Sequence, residues 1–472
     1  MATAQLGKAG SPASLAPGTL LFVVLLLVAA CHANGLRGPF QFDDGNVIVH
    51  NPAVHGLAAW WQAPMGIRPL LKLSYALNWQ LAPTAFAFHL VNLLIHLINT
   101  SLLFVWLHRA LPGTARLRRR AATLAALLWA LHPAQTEAVT YICGRSVSLM
   151  TLCWLAALLA AQGTGRRGVW WTALWTALAL GVRETAWVIP FSLLLVARLQ
   201  GESLQASIRR LLPVFAVVLL AGLVFVTSAA YRQELAGSFA ARPLAVQLLS
   251  QRNALQYFLA GPVLGLTPDM DPDVALQYAP DAVWLGQALA LLALAVCCGL
   301  AWWRRAAWLA AGVLWFLLAL LPTNSVFPRL DLVSDRHLYP ALMGLAGGMG
   351  LLLARWRHGC LPGLVLVAVF AVATLIRNED YRSAYALWLR TAEQSPGKAR
   401  VWNNLGYACQ EGGDRVCARA AYSRALLLEP GNEKARLNLY FLDRRTSPGS
   451  CPAATDPVLP AHLPPSRMSG AC

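Results

Sequence analysis

Long apolar runs, broken by short polar or basic turns, recur along most of this chain. Runs near 18–33, 86–107, 119–133, 145–162, 168–182, 184–199, 211–230, 283–303, 306–321, 337–355 and 360–376 approach the ~20 apolar residues that a bilayer-crossing helix needs. The pattern predicts an all-α, polytopic membrane protein with about 11 spans. The opening run lacks a small-residue cleavage site followed by a soluble domain, so it is read as a retained span. The helix-like stretch from Leu244 to Leu266 carries Gln251, Arg252, Asn253 and Gln256 in its interior. Those side chains suit a wet cavity better than lipid, and the stretch is read as re-entrant or interfacial.

Past residue 378 the period changes. From Ala399 the spacing fits one tetratricopeptide repeat (TPR) of about 34 residues, with Trp402, Leu405, Gly406, Ala418, Tyr422, Ala425 and Pro430 at the packing positions. Cys409 stands where tyrosine is usual. Ala384, Trp388 and Pro396 match the second half of a preceding repeat, and Asn432 to Phe441 begins another. The chain therefore divides into a multi-span domain (1–378), a short TPR α-solenoid (379–445) and a tail (446–472). The tail's Pro452, Pro460, Pro464 and Pro465 predict disorder. So few repeats cannot bury their own faces, so the stack must lean on the membrane domain or on a partner. A stabilising cap and an acceptor-docking surface both remain open.

Composition agrees with the pattern. A chain 57% hydrophobic and 12% charged, with mean hydropathy +0.51, is no ordinary soluble enzyme. Its net charge of +17 raises nucleic acid as a partner, but the basic residues flank spans and form no single soluble face. Arg109, Arg116 and Arg118 to Arg120 share one turn; Arg166 with Arg167, Arg209 with Arg210, Arg304 with Arg305, and Arg355 with Arg357 fill others. With a cytosolic N-terminus and an odd number of spans, all these clusters fall inside, as the positive-inside rule requires. The turns at 34–85, 132–145, 183–184 and 322–336 then share the opposite face with the C-terminal domain. Cys153, Cys297 and Cys298 read as packing residues, and the spacing of Cys409 and Cys417 leaves a disulfide open.

The polar motifs gather on that outer face. Asp43 and Asp44 follow the first span; a carboxylate there is placed to take a proton from a hydroxyl, though Asp-Asp-Gly-Asn is equally good turn chemistry. His89, Asn92, His96 and Asn99 recur at spacings of three and four, one helical stripe that serves either as interhelical hydrogen bonding or, for His89 near the outer end, as a ligand contact. His132, Glu137 and Arg145 lie in one short outer turn, and Arg183-Glu184 in another, where the pair could satisfy itself. Arg68, and Arg336 with Asp335 and His337, supply guanidinium groups suited to phosphate. Three outer histidines leave a divalent metal open, but no tight ligand spacing supports one, and no metal or other cofactor is expected.

Together Phe42-Asp43-Asp44, Arg68-Pro69-Leu70, Phe88-His89-Leu90-Val91-Asn92, His132-Pro133, Thr136-Glu137-Ala138-Val139, Gly144-Arg145, Arg183-Glu184-Thr185 and Asp335-Arg336-His337-Leu338-Tyr339 resemble, in order, the transmembrane and tetratricopeptide-repeat O-mannosyltransferases of the GT-C glycosyltransferase fold. The resemblance spans roughly 40 to 440. It implies inverting transfer of a sugar such as mannose from a polyprenyl-phosphate carrier to Ser or Thr of exported proteins. It maps the catalytic carboxylate to Asp43 or Asp44 and the donor phosphate and sugar contacts to Arg68, His89, His132, Glu137, Arg145, Arg183, Glu184, Arg336 and His337. Departures are the short repeat array, Arg183 where lysine is frequent and Asp335 where glutamate is. A lipid-linked sugar transporter or flippase, and a TPR scaffold, are the alternatives. The sole Asn-x-Ser/Thr triplet, Asn99-Thr100-Ser101, lies within a span. With the short array, this leans toward a bacterial inner membrane, with the motifs periplasmic, over the endoplasmic reticulum.

Overall fold

The computed structural model describes residues 17–63, 66–163, 165–303 and 307–444, which form helices joined by short turns with no strand among them. Arg304, Arg305 and the proline-rich tail with Pro452, Pro460, Pro464 and Pro465 lie outside the described residues. Each predicted span falls on a helix. Seven helices among the described residues are long and apolar enough to cross a membrane: Gly18–Arg37, Ala85–Ala110, Ile142–Ala160, Leu204–Thr227, Ala282–Trp302, Asp335–Arg355 and Cys360–Asp380. Ala307–Leu320 is apolar but shorter. The remaining predicted spans coincide with Ala115–Ala130, Gly165–Val182 and Ile189–Leu199, which are either shorter or more polar. The chain is an integral membrane protein.

Helix Ala85–Ala110 shows how the bundle is held. Thr84 Oγ1 caps its start by accepting the Ala87 N–H at 3.3 Å. Its polar stripe is buried, while Phe86, Leu90, Leu94 and Ile98 lie exposed on the opposite face. In lipid, such a helix turns its polar side inward, because an unpaired amide in hydrocarbon is costly. Every stripe residue finds a partner on another segment. Asn92 Nδ2 donates to Val139 O at 3.2 Å, and Asn99 Nδ2 to Ser148 O at 2.8 Å. The His96 ring nitrogens lie 2.8 Å from Tyr339 Oη and 3.1 Å from Ala130 O. The stripe therefore serves as interhelical hydrogen bonding.

Helix Leu338–Arg355 packs between Ala115–Ala130 and Ala307–Leu320, and glycines set the spacing. A Cβ on Gly350 would stand 2.5 Å from Ala121 O, and one on Gly344 2.5 Å from Trp315 Cβ. Backbones at that distance bring Trp129 and Trp315 indoles onto the carbonyls of Tyr339 and Pro340, at 2.8 and 2.9 Å.

The stretch 244–266 is a helix, Leu244–Ala260, followed by a tight turn, and is not among the candidate membrane-crossing helices. Gln247 Nε2 donates to Ser325 O at 3.0 Å and Asn253 Nδ2 to Ala275 O at 2.8 Å, so its amides anchor neighbouring loops. A helix at Ala229–Ala241, not anticipated from the apolar pattern, precedes it.

At the C-terminal end, helices Ala384–Gln394, Ala399–Glu411, Arg415–Leu428 and Glu433–Arg444 stack in sequence. Leu405, Gly406, Ala418, Tyr422 and Ala425 are buried, and a Cβ on Gly406 would meet the Tyr422 ring at 2.6 Å. Trp402 Nε1 donates to Pro396 O at 2.8 Å, and Pro430 lies beyond the end of Arg415–Leu428. Cys409 and Cys417 are disulfide-bonded, with Cα atoms 5.8 Å apart.

Overpacking a well-fitted helix contact costs about 1–3 kcal/mol. Gly350→Leu should therefore lower the thermal midpoint of the detergent-purified protein. Gly286→Leu, where no atom lies within 4 Å of the added Cβ, should leave the midpoint near wild type.

Candidate active site

The loop after the first span separates the two adjacent carboxylates. Phe42 adopts a left-handed conformation, with φ 49°, and a π-helical turn at Gly45–Val49 follows. Both features are uncommon for such residues and concentrate at functional sites. Between them, Asp44 turns inward and is 1% exposed. Its Oδ2 accepts the Gln41 N–H and its Oδ1 the Cys143 N–H, each at 2.9 Å. Burial pushes its carboxyl up to about 7 against the pull of those two donors. Asp43 stays half-buried; its N–H donates to Tyr141 Oη at 3.2 Å, and no described residue donates to its carboxylate. Asp44 is committed to the loop. Asp43 is free.

Arginines gather on Glu184 and Glu137. Arg68 is also left-handed, with φ 57°, just before Pro69, and its N–H donates to Tyr231 Oη at 3.1 Å. Its guanidinium grips Glu184 with two bonds, Nε to Oε2 at 2.8 Å and Nη2 to Oε1 at 2.5 Å. Arg329 approaches the same carboxylate at 3.6 Å. Arg183 and Glu184 thus do not satisfy each other as a local pair. Arg183 turns to Ser146 Oγ, 2.7 Å away, and lies beside the His337 ring at 3.5 Å. In the extended backbone at Arg183, successive side chains leave on opposite sides, which explains the split.

Glu137 organises the other wall. It is 3% exposed and accepts Ser334 Oγ–H at 2.7 Å and the Arg336 N–H at 2.9 Å. Burial pushes its carboxyl up, opposed chiefly by the Arg336 charge 3.8 Å away. Arg336 Nε is buried with no hydrogen-bond partner, and so is His337 Nδ1. Orphaned donors of this kind are rare in folded proteins unless a ligand or water completes them. Arg68, Arg183, Arg329 and Arg336 lie close enough to act on one another's charge, and Arg336 also feels Asp43. Arg68 and Arg329 thus share Glu184, Arg336 faces Glu137 and Arg183 has neutral partners, so the cluster carries a surplus of positive charge. Next to Arg336, Asp335 accepts the Asp269 N–H at 2.9 Å and Tyr257 Oη–H at 3.1 Å.

Three of the expected contact residues do not join this cluster. Arg145 is fully buried, donating to Asn92 Oδ1 at 2.6 Å, Asn78 Oδ1 at 2.8 Å and Phe88 O at 3.0 Å, with the Tyr75 and Phe88 rings beside it. Neutral acceptors and aromatic faces saturate the cation, leaving nothing for a substrate. His89 Nε2 sits 3.0 Å from Gly38 O. His132 Nε2 sits 3.1 Å from Val263 O, and its Nδ1 accepts the Ala134 N–H. These histidines fasten loops, as interior imidazoles commonly do. No group of three potential metal ligands occurs among the described residues.

Arg329 and Asp269 were absent from the residues singled out by sequence. Arg329 lies in the same predicted outer turn as Asp335 and Arg336, so its position was available from topology; no motif marked it. A groove of about 340 Å³ opens nearby between helices Leu244–Ala260, Ala282–Trp303 and Ala307–Leu320, walled by Leu255, Phe258, Trp284, Leu291 and Leu317. Asn324, at its rim, donates to Leu332 O at 3.1 Å within the loop that carries Arg329.

No family model matches the chain. It is 26% identical over 485 residues to the mouse protein O-mannosyl-transferase TMTC3, covering 88% of this chain and 52% of that protein. It is 25% identical over 510 residues to the Drosophila melanogaster protein O-mannosyl-transferase Tmtc3, covering 87% and 55%. The chain thus spans about half the length of these curated relatives. The solved arabinosyltransferase EmbB from Mycobacterium smegmatis aligns with 86% of this chain and 44% of its own, at 16% identity and a TM-score of 0.32, too low to carry an argument.

Burial raises the Asp44 carboxyl from its ordinary value near 3.8 to about 7 in the folded protein. Between those values the folded protein binds the extra proton, so stability falls as pH rises toward 7. Asp44→Asn has nothing to titrate there. The thermal-midpoint difference, wild type minus variant, should be larger at pH 5 than at pH 8.

Proposed function

We propose that this chain is a membrane protein O-glycosyltransferase that moves a hexose, mannose by analogy with its relatives' names, from a polyprenyl-phosphate carrier to Ser or Thr hydroxyls of exported proteins. The observation that carries the reading is a half-buried carboxylate, Asp43, to which no described residue donates, whose charge acts on Arg336, an arginine held by Glu137 with its buried Nε making no hydrogen bond. The likeness to protein O-mannosyl-transferases over most of the chain supports the same chemistry.

In this mechanism the acceptor hydroxyl attacks the anomeric carbon from the face opposite the phosphate, and Asp43 takes its proton. The carbon–oxygen bond to the carrier breaks, and the polyprenyl phosphate leaves with the electron pair. Arg336, Arg68 and Arg329 stabilise the charge growing on that phosphate, a role that guanidinium groups fill without a metal. Glu184 and Glu137 keep those arginines in place, and Arg183 and His337 line the inner side of the pocket. The apolar groove along Leu255, Phe258 and Leu291 takes the start of the isoprenoid chain, with Asn324 at the polar end. The reaction runs on the non-cytosolic face. The Cys409–Cys417 bond fits an oxidising compartment, and the TPR-like helices from Ala399 onward carry the acceptor side of the assembly.

Asp43→Asn should abolish sugar transfer from a synthetic polyprenyl-phosphate mannose to a Ser/Thr peptide, followed by the mass shift of the peptide, while the protein still inserts and melts like wild type. Arg329→Ala should lower the rate by about 10²–10³, the cost of removing one donor from a developing oxyanion. Full activity in Asp43→Asn would falsify the assignment of the base.

A further inference from the structure

Two loops of the site are tied to the helices that follow the last span, as well as to the membrane body. In the first loop, Gln41 Nε2 donates to Tyr381 O at 2.5 Å. The next residue, Phe42, sets its ring edge-on against Trp388, with centroids 5.2 Å apart. Phe42 is the left-handed residue immediately before Asp43, and a bulky side chain keeps that conformation only where its surroundings enforce it. Trp388, 3% exposed, is the ring that Phe42 packs against.

The second loop, 267–273, is gripped more firmly. Asp269 Oδ2 accepts Ser395 Oγ–H at 2.5 Å, and the Asp273 N–H donates to Ser395 Oγ at 2.8 Å. Asp271, 2% exposed, receives Lys398 Nζ at 2.5 Å and Arg400 Nε at 2.7 Å. The Asp269 N–H then donates to Asp335, the neighbour of Arg336. Two hydrogen bonds therefore run from Ser395 through Asp269 to Asp335, the chain neighbour of Arg336. Trp388 and Ser395 are buried against the body and cannot be holding an acceptor.

We infer that helix Ala384–Gln394 and the turn after it are a positioning element of the transfer site: Trp388, acting through Phe42, sets Asp43, and Ser395, acting through Asp269 and Asp335, sets Arg336. The inference rests on the glycosyl-transfer reading above. Without Trp388, Phe42 relaxes to negative φ and swings the Asp43 carboxylate away from the attacking hydroxyl. Misplacing a catalytic group in this way lowers the rate of the bound complex and leaves substrate affinity alone.

The test uses the full chain in nanodiscs, a polyprenyl-phosphate mannose donor, and either a short Ser/Thr peptide or a whole-protein Ser/Thr-rich acceptor, with hydrogen exchange measured in parallel over residues 38–50. Trp388→Ala should lower kcat by about tenfold or more, keep both KM values within about twofold, and speed exchange in that loop. Trp388→Phe should restore most of the kcat and the protection. Ser395→Ala, which removes one oxygen, should also lower kcat at constant KM, and it carries the kinetic test if Trp388→Ala does not accumulate. Unchanged kcat and exchange in these variants overturn the inference. So does a KM increase confined to whole-protein acceptors, which would make this segment a docking surface. If wild-type protein transfers no sugar, the glycosyl-transfer reading fails, and exchange alone decides whether Trp388 holds the Asp43 loop.

Discussion

The site depends on two carboxylates each holding cations that would otherwise repel. Glu184 grips Arg68 and draws in Arg329, while Glu137 holds the Arg336 backbone and stands near its guanidinium. Like charges 4 Å apart cost from about 1 kcal/mol in water to about 4 near a protein surface, so four clustered arginines with two counterions are incompletely neutralised. That residual charge is a standing attraction for an anion. The two ion-pair sets also draw together turns that lie far apart in sequence, at 68, 137, 184 and 329–336, so the convergence of these loops and the electrostatics of the site share one cause.

Much of this was legible in the sequence, for identifiable reasons. The spans could be read because apolar length is a local property, and each run became a helix. The inward turn of His96 and Asn99 followed from the cost of polar groups in lipid. The parity of basic turns assigns Asp43, Arg68, Glu184 and Arg336 to loops of one face, and of these Arg68 and Glu184 bond directly. What could not be read was partner choice. Arg183 and Glu184 are neighbours in the chain yet serve different partners, since extended backbone sends their side chains apart. Arg145 looked like a headgroup contact because it is a cation at an outer helix start. Asn78, Asn92 and Phe88, from two other helices, enclose it, and no one-dimensional pattern announces such a cage.

The split between Asp43 and Asp44 has the same origin. Both stand in one turn sequence, and the Gln41 amide within the turn and the Cys143 amide, 99 residues away, together consume one of them. Structural use of one carboxylate and chemical availability of the other are two results of a single backbone turn. Phe42, Arg68 and Thr267 all carry positive φ, and all three lie in loops that converge here. Folding has thus already met the conformational cost of the site's shape before any substrate arrives.

The Gln41–Tyr381 bond joins residues 340 positions apart. The loop bearing Asp43 leaves the ribosome early, whereas its last support emerges only after nearly all the remaining spans. At about 5–20 residues per second, that interval is on the order of tens of seconds. During it the loop bearing Asp43 already lies beside the bilayer without that support, so it takes its final shape only once residue 381 has emerged.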